Sequence, residues 1–375
     1  MKILQYGSLA ASIGGPSHSL HLMVRGLCEA GEECEVVMPP LASGDRLCGE
    51  GLKVHYLPPC RGHFQHSFGI GRDLERLERP EVCHIHGLWQ YPNHATCVYA
   101  RRHGIPYLVS PRGMLYPQGI KDHSKYLKYL ALLLWQKKDL SRAACLHATC
   151  REEMQVFRNM GLKNPIAVIP NAVDLSGGIT PPSPPCDRFC VGYLGRLHPI
   201  KRVEKLIRAF ASAALPDSEL LIIGDGDEGY KRFLHDECAR LCVENVEFVG
   251  FLHGEEKRAA LRRMSLLVVP SHFESFCNVV IEALAEGIPV AASRGTPWRE
   301  LEQHHCGWWI DNSADEIARI LKAACSLSAE ERIAMGEAGQ KLLLERYSVE
   351  RTTEQWRAVY RWLAGGGERP DFVFD

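Results

Sequence analysis

Short apolar runs punctuated by Gly or Pro recur from the first residue, alternating with longer segments of mixed polarity. That rhythm predicts parallel α/β units, whose strands are buried on both faces and read as near-continuous hydrophobic runs. Strands are predicted at KILQYG (2–7), CEVVMP (34–39), VCHIHG (82–87), PYLVS (106–110), LHATC (146–150) and AVIP (167–170). SGGITPPSPPCDR (176–188) breaks the rhythm, because its prolines and glycines propagate neither a helix nor a central strand, and it reads as a linker. The grammar then restarts with FCVGYLG (189–195), ELLIIG (219–224), VEFVG (246–250), LLVVP (266–270) and PVAAS (289–293). Near the end, Trp356, Val359, Tyr360 and Leu363 stand at i, i+3, i+4 and i+7, the face of an amphipathic helix that Gly365 stops.

Length agrees with two halves: 375 residues exceed what one core organises, roughly 250 to 300. A formal net charge of −1 argues against a dedicated nucleic-acid binder, which needs a strongly basic face. The 15 cysteines are scattered without a C-x-x-C pair, so most are expected to be reduced core residues. The opening MKILQYGSL has no basic start followed by an apolar stretch, and the longest apolar run, YLALLLW (129–135), is far short of the roughly 20 residues of a spanning helix. A cytoplasmic protein is expected.

Candidate chemistry gathers in three places. In ESFCNVVIE (274–282), Asn278 reads as the N-cap of a helix running through VVIEALAE to Gly287. Its first amides, around Asn278 and Val279, would offer unpaired N–H groups and a partial positive charge, which suits phosphate. Glu274 and Glu282 would repel that phosphate, so sugar hydroxyls are their better partners, a carboxylate being able to accept two O–H donors from a vicinal diol. Taken singly, Glu274 is an ordinary loop charge and Glu282 the polar face of a helix. GRLHPIKR (195–202) follows a strand and puts Arg196 and Lys201 at its carboxyl end, a fork and a point charge suited to a diphosphate, or else a solvated basic loop. In SIGGPSHSL (12–20), Gly14 and Gly15 allow close backbone approach to a ligand, or simple chain reversal, and Ser17 is positioned to cap the next helix.

Together with PNAVD (170–174), GDGDE (224–228), GFLHGEE (250–256) and PSHFESFCNVVIEALAEGIPVAAS (270–293), these motifs resemble the retaining GT-B glycosyltransferases of family 4 across the whole chain. GTPWREL (295–301) resembles a signature of the lipopolysaccharide and exopolysaccharide enzymes. The resemblance implies an α/β protein of two Rossmann-like domains with parallel sheets facing a central cleft. Residues 1–178 would form an acceptor-side domain, with a C-terminal helix (348–364) packing back on it, and residues 186–347 the nucleotide-sugar domain. It implies that Arg196 and Lys201 neutralise the departing diphosphate, that Glu274 holds the donor sugar, and that Glu282 holds the ribose. Gly14, Gly15, Asn278 and Val279 would cradle phosphate, and the backbone at Phe251 and Leu252 would meet the base. The substrates implied are a UDP- or GDP-linked hexose and a glycan or polyprenyl-diphosphate-linked acceptor in surface polysaccharide synthesis. No metal cofactor is implied.

Departures from the family pattern leave some roles open. Where a donor-contacting histidine is usual, VSPRGML carries Arg112, and His86 of CHIHGLW competes for the role. Arg202 stands where glycine often follows the lysine. DGD (225–227) matches a metal-binding Asp-x-Asp, but its place after the second strand of the half and the nearby cations make metal redundant. His84 with His86, and His304, His305 and Cys306, lack a four-ligand zinc spacing. The basic, apolar stretch 121–142 reads either as a helix packed in the first domain or as a peripheral contact with the anionic inner face of the cell membrane. A nucleotide-sugar epimerase or hydrolase and a non-catalytic nucleotide-sugar-binding regulator are the alternative functions. A dinucleotide-dependent oxidoreductase is disfavoured, because no G-x-G-x-x-G follows either half's first strand.

Overall fold

The computed structural model describes residues 1–41, 45–47, 52–67, 69–121, 125–179 and 188–375. Two compact units result: Met1–Ala172 together with Val349–Asp375, and Val173–Ser348. The division falls ahead of the Pro-rich stretch, whose residues 180–187 lie outside the described residues. Val173 already belongs to the second unit, its N–H donating to the Tyr347 carbonyl at 2.8 Å.

The first unit is built on a sheet of β1 (Lys2–Tyr6), β2 (Glu33–Met38), β3 (Lys53–Tyr56), β4 (Val82–His86), β5 (Tyr107–Ser110), β6 (Cys145–Ala148), β7 (Ile166–Val168) and β14 (Val373–Phe374). Their order is β14-β7-β6-β5-β4-β1-β2-β3, parallel except for β14 against β7. The Val349–Leu363 helix lays Trp356, Val359 and Tyr360 into a core with Leu20, Met23, Val24 and Leu27 of the Gly15–Glu29 helix. Arg357 fixes the crossing from outside by pairing with the buried Glu32 at 2.7 Å.

The second unit holds β8 (Phe189–Leu194), β9 (Ser218–Ile223), β10 (Val246–Gly250), β11 (Leu266–Val269), β12 (Val290–Ser293) and β13 (Gly307–Ile310), ordered β10-β9-β8-β11-β12-β13 and wholly parallel. Alternate residues of a strand face opposite sides, so Leu267, Val269, Val290 and Ala292 pack on the Asn278–Ala285 helix, while Leu266, Val268 and Ala291 pack on the Val203–Ala213 helix. The strand order reverses between β8 and β11, which opens a crevice beyond their carboxyl ends, the usual ligand position in open α/β sheets. In the first sheet the reversal lies between β1 and β4.

Candidate active site

At the second unit's switch point, β8 and β11 pair side by side, Leu266 opposite Val191. The loop leaving β8 carries Arg196 and Lys201, and the loop leaving β11 carries Glu274. The two loops are stitched together, the His272 N–H donating to the Ile200 carbonyl at 2.8 Å. Lys201 Nζ forms a short ion pair with Glu274 Oε1, and Ser271 Oγ donates to the same oxygen at 2.8 Å. Both charged side chains are mostly buried, with 20% and 14% exposed, so their attraction is less screened than that of a surface pair.

Backbone supports fix this geometry. The Glu274 N–H donates to the Gly295 carbonyl at 2.9 Å. A Cβ on Gly295 would lie 2.2 Å from the His272 carbonyl oxygen, so only glycine fits. Gly295→Ala is therefore expected to shift this loop and cost about 1–3 kcal/mol by overpacking, read as a lowered thermal midpoint of the second unit; an unchanged midpoint contradicts the assignment. On the other flank, the Leu197 N–H donates to the Asp225 carbonyl at 2.8 Å, and Tyr193 OH donates to the carbonyl of the exposed Arg196 at 3.0 Å.

The helix after Glu274 begins at Asn278, and its N-cap is Cys277 rather than Asn278. Cys277 takes a left-handed conformation (φ 75°), uncommon for a residue with a Cβ, which turns the chain sharply into the helix. Its thiol is pushed well above the usual range, first by burial and then by Glu274, with Lys201 opposing and Glu282 adding. Cys277 thus sits among the charges that the sequence singles out. Glu282, in the second turn of the helix, pairs with Lys257 at 3.1 Å. Leu252 packs against the same core, whereas Phe251 is 71% exposed on the loop after β10. Arg202 adopts the left-handed conformation (φ 57°) that a glycine would supply, so the departure from the family pattern leaves the turn intact. The DGD aspartates have other tasks: Asp227 caps the Glu228–Arg240 helix, and Asp225 pairs with Lys231 at 2.8 Å.

In the first unit, Gly14 (φ 78°) is the N-cap of the Gly15–Glu29 helix. Ser17, read from sequence as the cap, is instead buried in the first turn. Across the switch point, alternation along β4 sends His84 and His86 to one face, their rings 3.9 Å apart. Arg112 donates to His86 Nδ1 at 3.2 Å and to Asn171 Oδ1 at 2.7 Å, so the two candidates are joined by a hydrogen bond. An arginine only donates, so His86 carries its proton on Nε2 and gives it to Gln5 Oε1 at 2.9 Å. Gln5 Nε2 donates to Tyr360 OH at 3.1 Å, and Tyr360 OH donates to His84 Nδ1 at 2.7 Å. His84 Nε2 then donates to Ser110 Oγ at 2.6 Å and Ser110 to His147 Nδ1 at 2.7 Å. The chain ends where His147 Nε2 donates to the Ile169 carbonyl at 2.8 Å.

An obligate donor at one end and an obligate acceptor at the other fix every proton between them. All three imidazoles are neutral. Burial pushes His84 and His86 well below the usual histidine range and His147 down to about 3, and the Arg112 charge adds to each shift. Burial also brings the Arg112 guanidinium down to about 10, still charged at neutral pH. Its Nε–H is buried without an acceptor among the described residues.

Sequence reading misses Ser271, Gly295 and Lys257 around the second-unit carboxylates, and Gln5, Ser110, His147 and Tyr360 behind His86. The i, i+2 spacing of His84 and His86 on a predicted strand is the available signal for a shared face; the others come together only in the fold.

Two family models match the chain. Residues 182–342 match the family "Glycosyl transferases group 1", and residues 14–172 match "Glycosyl transferase 4-like domain". The chain belongs to the group 1 glycosyltransferases. Among curated relatives of this family, a GDP-mannose-dependent alpha-mannosyltransferase of Mycolicibacterium smegmatis is 34% identical over 163 residues, 43% of this chain and 40% of that protein. The chain therefore spans less than half the length of that relative. The phosphatidylinositol N-acetylglucosaminyltransferase gpi3 subunit of Schizosaccharomyces pombe is 24% identical over 342 residues, 88% of this chain and 70% of that protein. Sucrose-phosphate synthase from Thermosynechococcus elongatus superposes with a TM-score of 0.79 at 18% identity, covering 98% of this chain and 100% of that one. Anabaena HepE, solved with UDP and glucose, superposes with a TM-score of 0.74 at 19% identity over 96% of this chain and 99% of that one. The two parallel-sheet domains of this chain are those of the GT-B fold.

Proposed function

We propose that the protein is a retaining hexosyltransferase that moves a sugar from a UDP- or GDP-linked donor to a glycan acceptor, lipid-linked and used in surface polysaccharide synthesis. The observation that carries this reading is the Lys201–Glu274 pair at the β8/β11 switch point, a cation for phosphate beside a carboxylate for hydroxyls. In this reading Arg196 and Lys201 stabilise charge as it develops on the departing diphosphate, a role effective where water is scarce. Glu274 orients the sugar through its hydroxyls, and Glu282, shared with Lys257, takes the ribose. The amides of Asn278 and Val279 receive phosphate at the helix start, and Phe251 and Leu252 meet the base. In the first unit, His86 and Arg112 are the residues available to meet a substrate, and Gly14 and Gly15 give a backbone that a ligand can approach closely. The acceptor oxygen attacks the anomeric carbon from the face the diphosphate leaves, and the leaving phosphate oxygen takes its proton, so no separate base is needed. A lipid-linked acceptor is supported by the gpi3 relative, which is named for transfer to phosphatidylinositol.

Metal independence belongs to the same proposal, since the two leaving-group cations supply the charge and both DGD aspartates are engaged elsewhere. The test is a thermal-shift screen against UDP, GDP, ADP and their sugars, because a ligand stabilises the folded state by RT ln(1 + [L]/Kd). Stabilisation by one nucleotide and its sugar is expected, followed by acceptor-dependent turnover that persists in a chelator. Product formed without any acceptor would favour the epimerase or hydrolase, and binding without turnover the regulator; loss of turnover in the chelator would refute metal independence.

A further inference from the structure

The helix Lys125–Ala131 continues through a π-helical turn, Leu132–Gln136, into Lys137–Ser141. Helices of globular proteins turn their apolar stripe inward, and this one does the reverse. Tyr126, Tyr129, Leu130 and Leu133, at i, i+3, i+4 and i+7, are 78, 53, 44 and 82% exposed, and Leu134 extends the stripe at 62%. The π turn carries Gln136 inward instead, where its Oε1 accepts from the Trp89 N–H at 2.9 Å. A contiguous apolar patch of this kind, left in water, marks a surface that meets something.

The stripe runs into a cavity of about 440 Å³ between this segment and the Tyr91–Arg102 helix. Leu134 lines both, beside Trp135, Arg101, Arg102, Lys138 and Arg142. Buried Asp139 neutralises one of these cations, accepting from Arg101 at 2.7 Å, and it also holds His94 at 2.8 Å. Arg102, Lys138 and Arg142 have no acidic partner among the described residues. Lys128, by contrast, donates to the Gly119 carbonyl at 2.7 Å and is partly used within the unit. The Trp135 indole N–H is buried with no acceptor among the described residues. Three spare cations and an unused donor around a cavity, joined to an exposed Leu and Tyr stripe, complement one chemistry: phosphate attached to hydrocarbon.

We propose that this face seats on an anionic phospholipid bilayer, with the stripe in the headgroup and acyl boundary and a phosphodiester headgroup in the cavity. A nucleic acid would use the cations but leave the stripe in water. The inference deepens the lipid-linked acceptor reading and rests on it only for its purpose.

The test is flotation of the full chain with phosphatidylglycerol and with phosphatidylcholine vesicles. Binding to the anionic vesicles alone is expected, with release as salt is raised. Arg102→Gln, Lys138→Gln and Arg142→Gln together are expected to weaken it roughly a hundredfold, about fivefold for each cation. Leu133→Ser with Leu134→Ser is expected to weaken it at least tenfold, and both variants should keep the wild-type thermal shift with nucleotide. Failure of the wild type to float, equal binding to both vesicles, or binding untouched by either variant would overturn the proposal. So would a solution dimer that the leucine variant dissolves while flotation persists, since a second copy then covers the stripe. Should a variant fail to fold, the salt dependence of the wild type decides alone: salt-insensitive binding contradicts the proposal. Flotation is read without any donor, so its failure leaves donor turnover standing, and absent turnover leaves flotation to be judged by itself.

Discussion

Glu274→Ala is expected to abolish most turnover while binding the bare nucleoside diphosphate more tightly than the wild type does. Within the fold, Lys201 and Glu274 neutralise each other, and Ser271 helps to hold the carboxylate in place. In the proposed site an incoming diphosphate competes with Glu274 for Lys201. Removing the carboxylate frees the cation, and losing a partly buried pair worth about 1 kcal/mol predicts roughly fivefold tighter diphosphate binding. If Glu274 orients the sugar as proposed, the intact nucleotide-sugar also loses charge-assisted hydrogen bonds to its hydroxyls, each worth about 1.5–3 kcal/mol, so turnover falls at least tenfold to a hundredfold for each lost bond. Lys201→Ala behaves oppositely: diphosphate binding weakens, and turnover falls about 10²–10³-fold, the usual size for deleting a group that stabilises developing negative charge. Calorimetric titration with UDP and GDP, alongside initial rates, reads both halves. If the two variants weaken the diphosphate equally, Glu274 is a structural partner of Lys201 and the division of labour is wrong.

The second unit is the more legible in sequence because its candidate site residues sit on loops that directly follow apolar strands. FCVGYL and LLVV announce themselves as buried runs, so the letters alone place Arg196, Lys201 and Glu274 at strand ends. What stays hidden is backbone conformation. Nothing in the letters shows that Cys277 is left-handed, which displaces the cap from Asn278 by one residue. Nor is it visible that Gly295 serves the Glu274 loop from 21 positions downstream. Strands β3, β13 and β14 escape notice for different reasons. KVHY lies at the sheet edge, with its residues partly exposed rather than apolar. GWWI puts a glycine and two tryptophans where an aliphatic run is sought, and β14 is only two residues long. In the first unit, polar residues stand inside strands: Gln5, His84, Ser110 and His147 are buried, and each is satisfied by a partner more than twenty residues away. Such a network has no local signature, so sequence offers single histidines where the fold builds a chain.

That chain makes acid the first threat to the Met1–Ala172 unit. His84, His86 and His147 are each neutral in the fold, with affinities for protons held below the free value of about 6.5 by burial and the Arg112 charge. Unfolding releases them to bind protons. Their contribution is therefore complete above pH 6.5 and is lost as pH falls, for His147 until about 3. From pH 7 to pH 5, each histidine that stays neutral costs about 2 kcal/mol, so the deeply buried His84 and His147 account for roughly 4 kcal/mol. His86, held neutral in the same way, adds to this loss. Glu153 opposes them, because burial pushes its carboxyl up and the fold gains stability as that group takes a proton. A net loss of roughly 3 kcal/mol or more over this interval is expected, a large part of a domain's usual stability. Urea unfolding at pH 7 and pH 5, followed by a probe in the first unit, measures it. His147→Gln isolates the cause: a glutamine amide can accept from Ser110 and donate to the Ile169 carbonyl, but it does not titrate. Whatever that variant costs at pH 7, its further loss on going to pH 5 should be smaller than the wild type's by about 2 kcal/mol. An identical pH slope in the two proteins would mean that the chain is protonated in the fold, and the proton order running from Arg112 to Ile169 would be wrong.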